Sequence, residues 1–106
     1  MECNACLAYV SKSFNLVMKF TWKETKRQTN LKKHGLDFVE AEKVFDGPAA
    51  TTEDSLVDYG EQRFNTIGLL GVKVVVITHT ETDENIHIIS MREAEKHETE
   101  SFFSRL

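Results

Sequence analysis

Nothing in this sequence restricts its fold more than Val72-Lys-Val-Val-Val-Ile-Thr-His-Thr80, a run that is β-branched almost throughout. Branching at Cβ suits the pleated, half-buried surface of a strand and disfavours a helix. Turn formers fence the run in, Gly71 near its start and Thr82-Asp83-Glu84 after it. Residues 62–70 and 85–91 on either side also read as strands. Connections this short permit only antiparallel hairpins. A shorter strand is expected over 49–53, followed by an acidic turn over 55–60.

The first half has a different period. Met18-Lys-Phe-Thr-Trp22 alternates apolar and polar, as a short strand with one buried face does. Residues 23–34 lack glycine and proline and end in Lys32, Lys33, His34 and then Gly35, which predicts a helix with cations at its negative end and a left-handed terminator. A second helix is expected from Asp37, a capping residue with Glu40 three positions on, along the stripe Phe38, Ala41, Val44, Phe45. Asp46-Gly47-Pro48 stops it. A last helix over 92–103 would dock through Phe102 and Phe103, with Leu106 just beyond. The predicted order is β-α-α-β-β-β-β-α, an α+β class with helices against an antiparallel sheet.

At 106 residues the chain suits one domain. No apolar run approaches the roughly 20 residues of a membrane span, so no membrane partner is expected. Residues 1–17 share no periodicity with the rest of the chain and carry no signal-peptide features, which predicts an extension outside a domain over 18–106.

The net charge of −4 opposes a nucleic-acid partner only as an average. From 19 to 35 there are six Lys/Arg and one acid; from 36 onward there are six Lys/Arg and fifteen Asp/Glu. A basic element thus sits on an acidic body. It reads either as a solvated helix face or as a phosphate-binding face.

The cysteines, Cys3 and Cys6, have no second pair to complete a zinc site. The four histidines lack ligand spacing, and no phosphate loop or nucleophile motif is present, so neither metal nor cofactor is expected. A reducing cytoplasm is the default for so few cysteines. What remains is a set of polar residues on or beside the central strands. Parity puts Arg63 with Asn65, Ile67 and Leu69, and puts His79 with Val75 and Ile77. Glu61 precedes the first long strand; Arg92 and His97 follow the last one. Arginines that stabilise a phosphoryl centre, with a carboxylate or imidazole to move protons, would permit RNA cleavage by the ribose 2′-hydroxyl. The alternative is that Arg63 and Arg92 only pair with neighbouring glutamates, and that His79 and His87 are structural.

Met18-Lys-Phe-Thr-Trp22 and Asn30-Leu-Lys-Lys-His-Gly35, with Phe38 and Ala41 beyond, resemble the opening of the BrnT family. Gly60-Glu-Gln-Arg-Phe64, Val74-Val-Val-Ile-Thr-His-Thr80 and Ile88-Ile-Ser-Met-Arg-Glu-Ala94 resemble its middle and end, so the likeness spans 18–106. It implies a RelE-like fold and a cytoplasmic ribonuclease toxin of a type II toxin–antitoxin pair that inhibits translation. A BrnA-type antitoxin, encoded alongside, would neutralise it in a hetero-oligomer, and operator DNA would be bound only through that complex. Carried over residue by residue, Arg63 and Arg92 become phosphate-stabilising candidates and Glu61 a general base or an orienter of Arg63. His79 and His97 become acid or base candidates, and Lys26, Lys32, Lys33 and His34 candidate RNA contacts. The alternative function is a non-catalytic binding module, or an inactive toxin remnant, in a DNA-binding regulatory complex.

Overall fold

The computed structural model describes residues 18–54 and 61–106. The expected extension with its two cysteines and the acidic turn at 55–60 lie outside the described residues. The elements are β1 (Lys19–Thr21), α1 (Glu24–His34), a 3₁₀ turn (Phe38–Glu40) leading into α2 (Ala41–Asp46), β2 (Ala49–Asp54), β3 (Arg63–Leu70), β4 (Lys73–Glu81), β5 (Asn85–Glu93) and α3 (Lys96–Ser104). The predicted order is therefore found, and the class is α+β with one five-stranded sheet, ordered β1-β5-β4-β3-β2.

β2 to β5 form the antiparallel meander that the short connections require. β1 departs from it, pairing parallel to β5 with Phe20 opposite Ile86. The sheet is therefore mixed rather than wholly antiparallel. Most of the chain separates these two strands, so no hairpin constrains their direction, and β1 is free to lay Phe20 on the core face.

Element ends shift where pairing overrides local pattern. Val72 belongs to the hairpin turn, 99% exposed beside Gly71 at φ 64°, and not to β4. β5 continues through Arg92 and Glu93, which pair with Val76 and Val75, so α3 begins at Lys96 rather than at 92. Its first turn is closed by a capping box between Glu95 and Glu98. α1 ends as expected at Gly35, φ 71°, whose N–H donates to the Leu31 carbonyl at 2.8 Å. The second helix is shorter than expected: Asp37 accepts from the Val39 N–H to cap a 3₁₀ turn, and α2 has six residues. Glu40 pairs with Lys43 and closes no box.

The core lies between one face of the sheet and the α1–α2 layer. Leu36, Phe38, Ala41, Val44 and Phe45 pack on Val75, Ile77, Ile86, Ile88 and Met91. Phe20 stacks at a tilt on Phe45 (5.5 Å between centroids), and Trp22 meets Phe38 edge-on at 6.3 Å. Gly68 lets α2 approach: a Cβ there would stand 2.8 Å from Val44 Cγ1. Arg27 ties α1 to the 3₁₀ turn with two hydrogen bonds to Asp37, and a third reaches Glu24. The guanidinium and the Val39 N–H hold the Asp37 carboxyl below its ordinary range.

Candidate active site

The register sorts the candidates between the two faces of the sheet. Opposed residues share a face, and Phe64 opposes His79, so His79 points with Phe64 and Thr66 toward the core while Arg63 points away. His79 is 0% exposed. Its Nε2 shares a 2.8 Å hydrogen bond with the Thr66 hydroxyl, which in turn bonds Thr51; its Nδ1 lies 3.3 Å from a Glu81 carboxylate oxygen, and Phe45 packs edge-on against the ring. This imidazole is walled in by the core and reaches no surface where RNA could lie.

The opposite face carries three rows. In the first, Thr21, His87 and Thr80 stand side by side, and Arg63 lies one residue beyond the Phe64–His79 pair. The second holds Thr52, Asn65, Thr78 and Ser90, with the Thr78 hydroxyl donating to Asn65 Oδ1 at 2.7 Å. The third holds Ala50, Ile67, Val76 and Arg92. Arg63 and Arg92 thus occupy one face, two strands and two rows apart, about 16 Å between Cα atoms at standard sheet spacings. Between them lies a floor of hydroxyl and amide side chains.

Two hollows flank this floor. The first, of about 290 Å³, is lined by Lys23, Lys26, Glu61, Arg63, His87 and Ile89 among others. Arg63 Nε donates to Glu61 Oε2 at 3.1 Å, and Glu61 stands half exposed on the same hollow. The second, of about 280 Å³, lies under α3 and includes Asn65, Arg92, His97, Glu98 and Phe102. Here Arg92 makes a bidentate pair with Glu98, at 2.8 and 2.9 Å. Those bonds hold the Glu98 carboxyl down at about 2 and raise the guanidinium above its ordinary value. His97 borders this hollow with its side chain 78% exposed, 3.6 Å from Glu95.

Of the basic residues on α1, Lys26 lines the first hollow. Lys32, Lys33 and His34 are exposed at the far end of the helix. They lie about 10 Å further along the axis at 1.5 Å per residue, so they border no common site with Arg63. Two residues of the hollow are not marked out by the sequence pattern. Lys23 is the residue before α1. His87 reads from the sequence as structural, yet it borders the hollow and shares a 2.9 Å hydrogen bond through Nδ1 with the Thr21 hydroxyl. The cause is a bulge: Thr78 pairs with Ser90 but His79 pairs with Ile88, leaving Ile89 as an extra residue. Regular alternation from the buried Met91 would send His87 into the core; the bulge turns it out. A signal exists in the uneven spacing of Ile86, Ile88 and Met91, two residues and then three.

The α+β fold agrees with what is similar in known proteins. Residues 22–98 match the family model described as the ribonuclease toxin BrnT of a type II toxin–antitoxin system. Among solved structures, the 1.1 Å crystal structure of the Brucella abortus ribonuclease toxin BrnT matches with 33% identity and a TM-score of 0.60, covering 76% of this chain and all of that one. No protein of curated function matches the chain. The class is thus that of ribonuclease toxins of type II toxin–antitoxin systems, for which an antitoxin is the natural partner. Within that class, the chain belongs to the BrnT family.

Proposed function

We propose that residues 18–106 form a metal-independent endoribonuclease that arrests translation in the cytoplasm and is neutralised by a BrnA-type antitoxin, with operator DNA bound only through their complex. The observation that supports the reaction is the placement of Arg63 and Arg92 on one face, across a floor of neutral hydrogen-bonding side chains. A strand of RNA laid on that floor meets a cation at each end. Arg63, aimed by Glu61, neutralises the scissile phosphate as its oxygens gain charge. The Glu61 carboxylate takes the proton of the ribose 2′-hydroxyl; the 2′-oxygen bonds to phosphorus and the P–O5′ bond breaks, leaving a 2′,3′-cyclic phosphate and a 5′-hydroxyl. Arg92 holds a neighbouring phosphate after exchanging Glu98 for it. Lys26 and Lys23 extend the positive rim. Lys32, Lys33 and His34, remote from Arg63, make non-specific contacts at most, and His79 has no part in the chemistry.

Single Arg63→Ala and Arg92→Ala variants test this. Each is expected to relieve growth arrest on expression, and Arg63→Ala to slow cleavage of RNA by the purified protein by about 10²–10³-fold, the usual effect of removing one transition-state contact. Variants as toxic as the wild type would sink the site assignment.

A further inference from the structure

The geometry points to His87 as a catalytic residue of this site, the acid that protonates the departing 5′-oxygen, held in place by Thr21 and turned outward by the bulge at Ile89. The inference rests on the ribonuclease reading and deepens it. Cleavage by 2′-hydroxyl attack needs two proton carriers. Glu61 supplies one, and among the described histidines only His87 borders the hollow that holds Arg63 and Glu61. His79 is enclosed on the other face, His97 borders the hollow under α3, and His34 ends α1.

Three features fit the role. First, imidazole changes charge between pH 5 and 8, so both its forms are accessible in a cell. Second, the ring is oriented. In the imidazolium, Nδ1–H donates to Thr21 Oγ1 (2.9 Å between the heavy atoms), which leaves Nε2–H for the substrate. After the proton passes to O5′, the neutral ring keeps its Nδ1–H bond to Thr21, so no reorientation accompanies the transfer. Third, the placement is built rather than incidental. Bulges interrupt the ladder, and one use of them is to re-aim a side chain beside an active site. Here the bulge costs β5 one ladder position, turns Ile86 and Ile88 into the core, and with them brings His87 to the face of Ser90 and Arg92. His87 and Arg63 stand two strands apart in one row, about 10 Å between Cα atoms, a span that one phosphodiester bridges. The reaction balances: one proton leaves O2′ for Glu61, one leaves His87 for O5′, the O2′–P bond forms as P–O5′ breaks, and solvent restores both groups.

The charged groups that border the hollow with the ring are Lys23 and Lys26 from the start of α1 and Glu61 and Arg63 from the β3 side; Lys19 shares this face on β1, and Asp54 on β2 stands opposite Arg63. Because an acid must carry its proton to donate it, the rate of the full-length protein on a labelled single-stranded RNA is expected to fall as pH rises through the imidazole range. His87→Gln, which keeps an amide in place but cannot titrate, is expected to lose at least about 10²-fold in rate and to lose that limb of the pH profile. Its RNA binding should stay within about threefold of wild type, since the arginines and lysines remain. An RNA with sulfur in place of the scissile 5′-oxygen needs no acid, so His87→Gln should cleave it at close to the wild-type rate. Thr21→Val should slow the normal substrate and shift the limb without abolishing it. Wild-type cleavage by His87→Gln, or a slow variant that the thio substrate does not rescue, would overturn the assignment alone. A wild-type protein that cleaves neither RNA would overturn the ribonuclease reading and this inference with it.

Discussion

One carboxamide, that of Asn30, stands where a strand would otherwise be. β1 is three residues long and pairs only with Asn85 to His87, so the rest of that edge of β5 has no neighbouring strand among the described residues. Asn30 fills part of the gap from α1: the Met91 N–H donates to Oδ1 at 3.2 Å, and Nδ2 donates to the Met91 carbonyl at 2.9 Å, the two-point pattern of a peptide unit in a ladder. Nδ2 also donates to the Leu36 carbonyl at 3.2 Å, closing the turn after the helix. The side chain is buried, so no water replaces these bonds when it is removed. Asn30→Ala is expected to cost about 2–3 kcal/mol, which lowers the midpoint of thermal unfolding by roughly 10–20 °C in a domain this size. Asn30→Asp should do no better, because it offers Met91 an acceptor but no donor. Calorimetry of the three proteins checks this, and a loss below about 1 kcal/mol for both would mean that the edge needs no cap. The Asn of the Asn30-Leu-Lys-Lys-His-Gly35 motif therefore reads as an architectural residue, although the family resemblance makes its Lys and His the candidates for RNA contact.

At the scale of elements, α3 is the one described helix on the open face of the sheet, and it is lightly held. Phe102 is its only buried residue, and the Arg92–Glu98 pair is its main polar tie to the strands. Glu98 acts twice, since it also accepts from the Glu95 N–H at 2.8 Å in the capping box. Its carboxyl sits at about 2 in the folded protein against an ordinary value of 4.5, a depressed acid. Such a group stabilises the fold above pH 4.5 and loses that contribution as pH falls from there toward 2. Glu98→Gln keeps an acceptor for the cap and removes the charge. It is expected to lose of order 1 kcal/mol at pH 7, after allowance for solvent screening of a part-exposed pair. The difference from wild type should shrink between pH 4.5 and 2. Thermal unfolding across that range checks it; a gap that persists at pH 2 would mean the carboxylate's charge is not what holds α3.

For the whole molecule, the division of charge matters more than its total. The stretch from 19 to 35 is net positive by five, and the remainder from 36 is net negative by nine. Part of the positive element is used internally, since Arg27 serves Asp37 and Glu24, but Lys23 and Lys26 reach the hollow beside Arg63. On the proposed function, RNA would approach the basic part of the surface, and a basic antitoxin would suit the acidic remainder. Association with such an antitoxin is therefore expected to weaken steeply with salt, because raising it from about 0.1 M to about 1 M cuts the Debye length from about 10 Å to about 3 Å. Titration calorimetry at several salt concentrations tests this, and an affinity indifferent to salt would point to an apolar interface instead.

Local signals along the chain are enough to specify the type and order of the elements, the antiparallel meander and the family. Those signals are a β-branched run, short turns, a helix ending at Gly35, and ordered motifs. Arg63's face is legible too, because alternation holds within an uninterrupted strand. Three features emerge only when the elements pack: β1 runs parallel to β5, Arg92 belongs to the strand and is clasped by α3, and His79 and His87 lie on opposite faces. One cause underlies all three. Alternation is a rule for one strand, whereas direction, strand length and the position of a bulge are set by the partner strand and by what the core must bury. Ile86, Ile88 and Met91 all seek the core, and β5 can bury the three only by spilling Ile89 out of register, which carries His87 to the face of the two arginines.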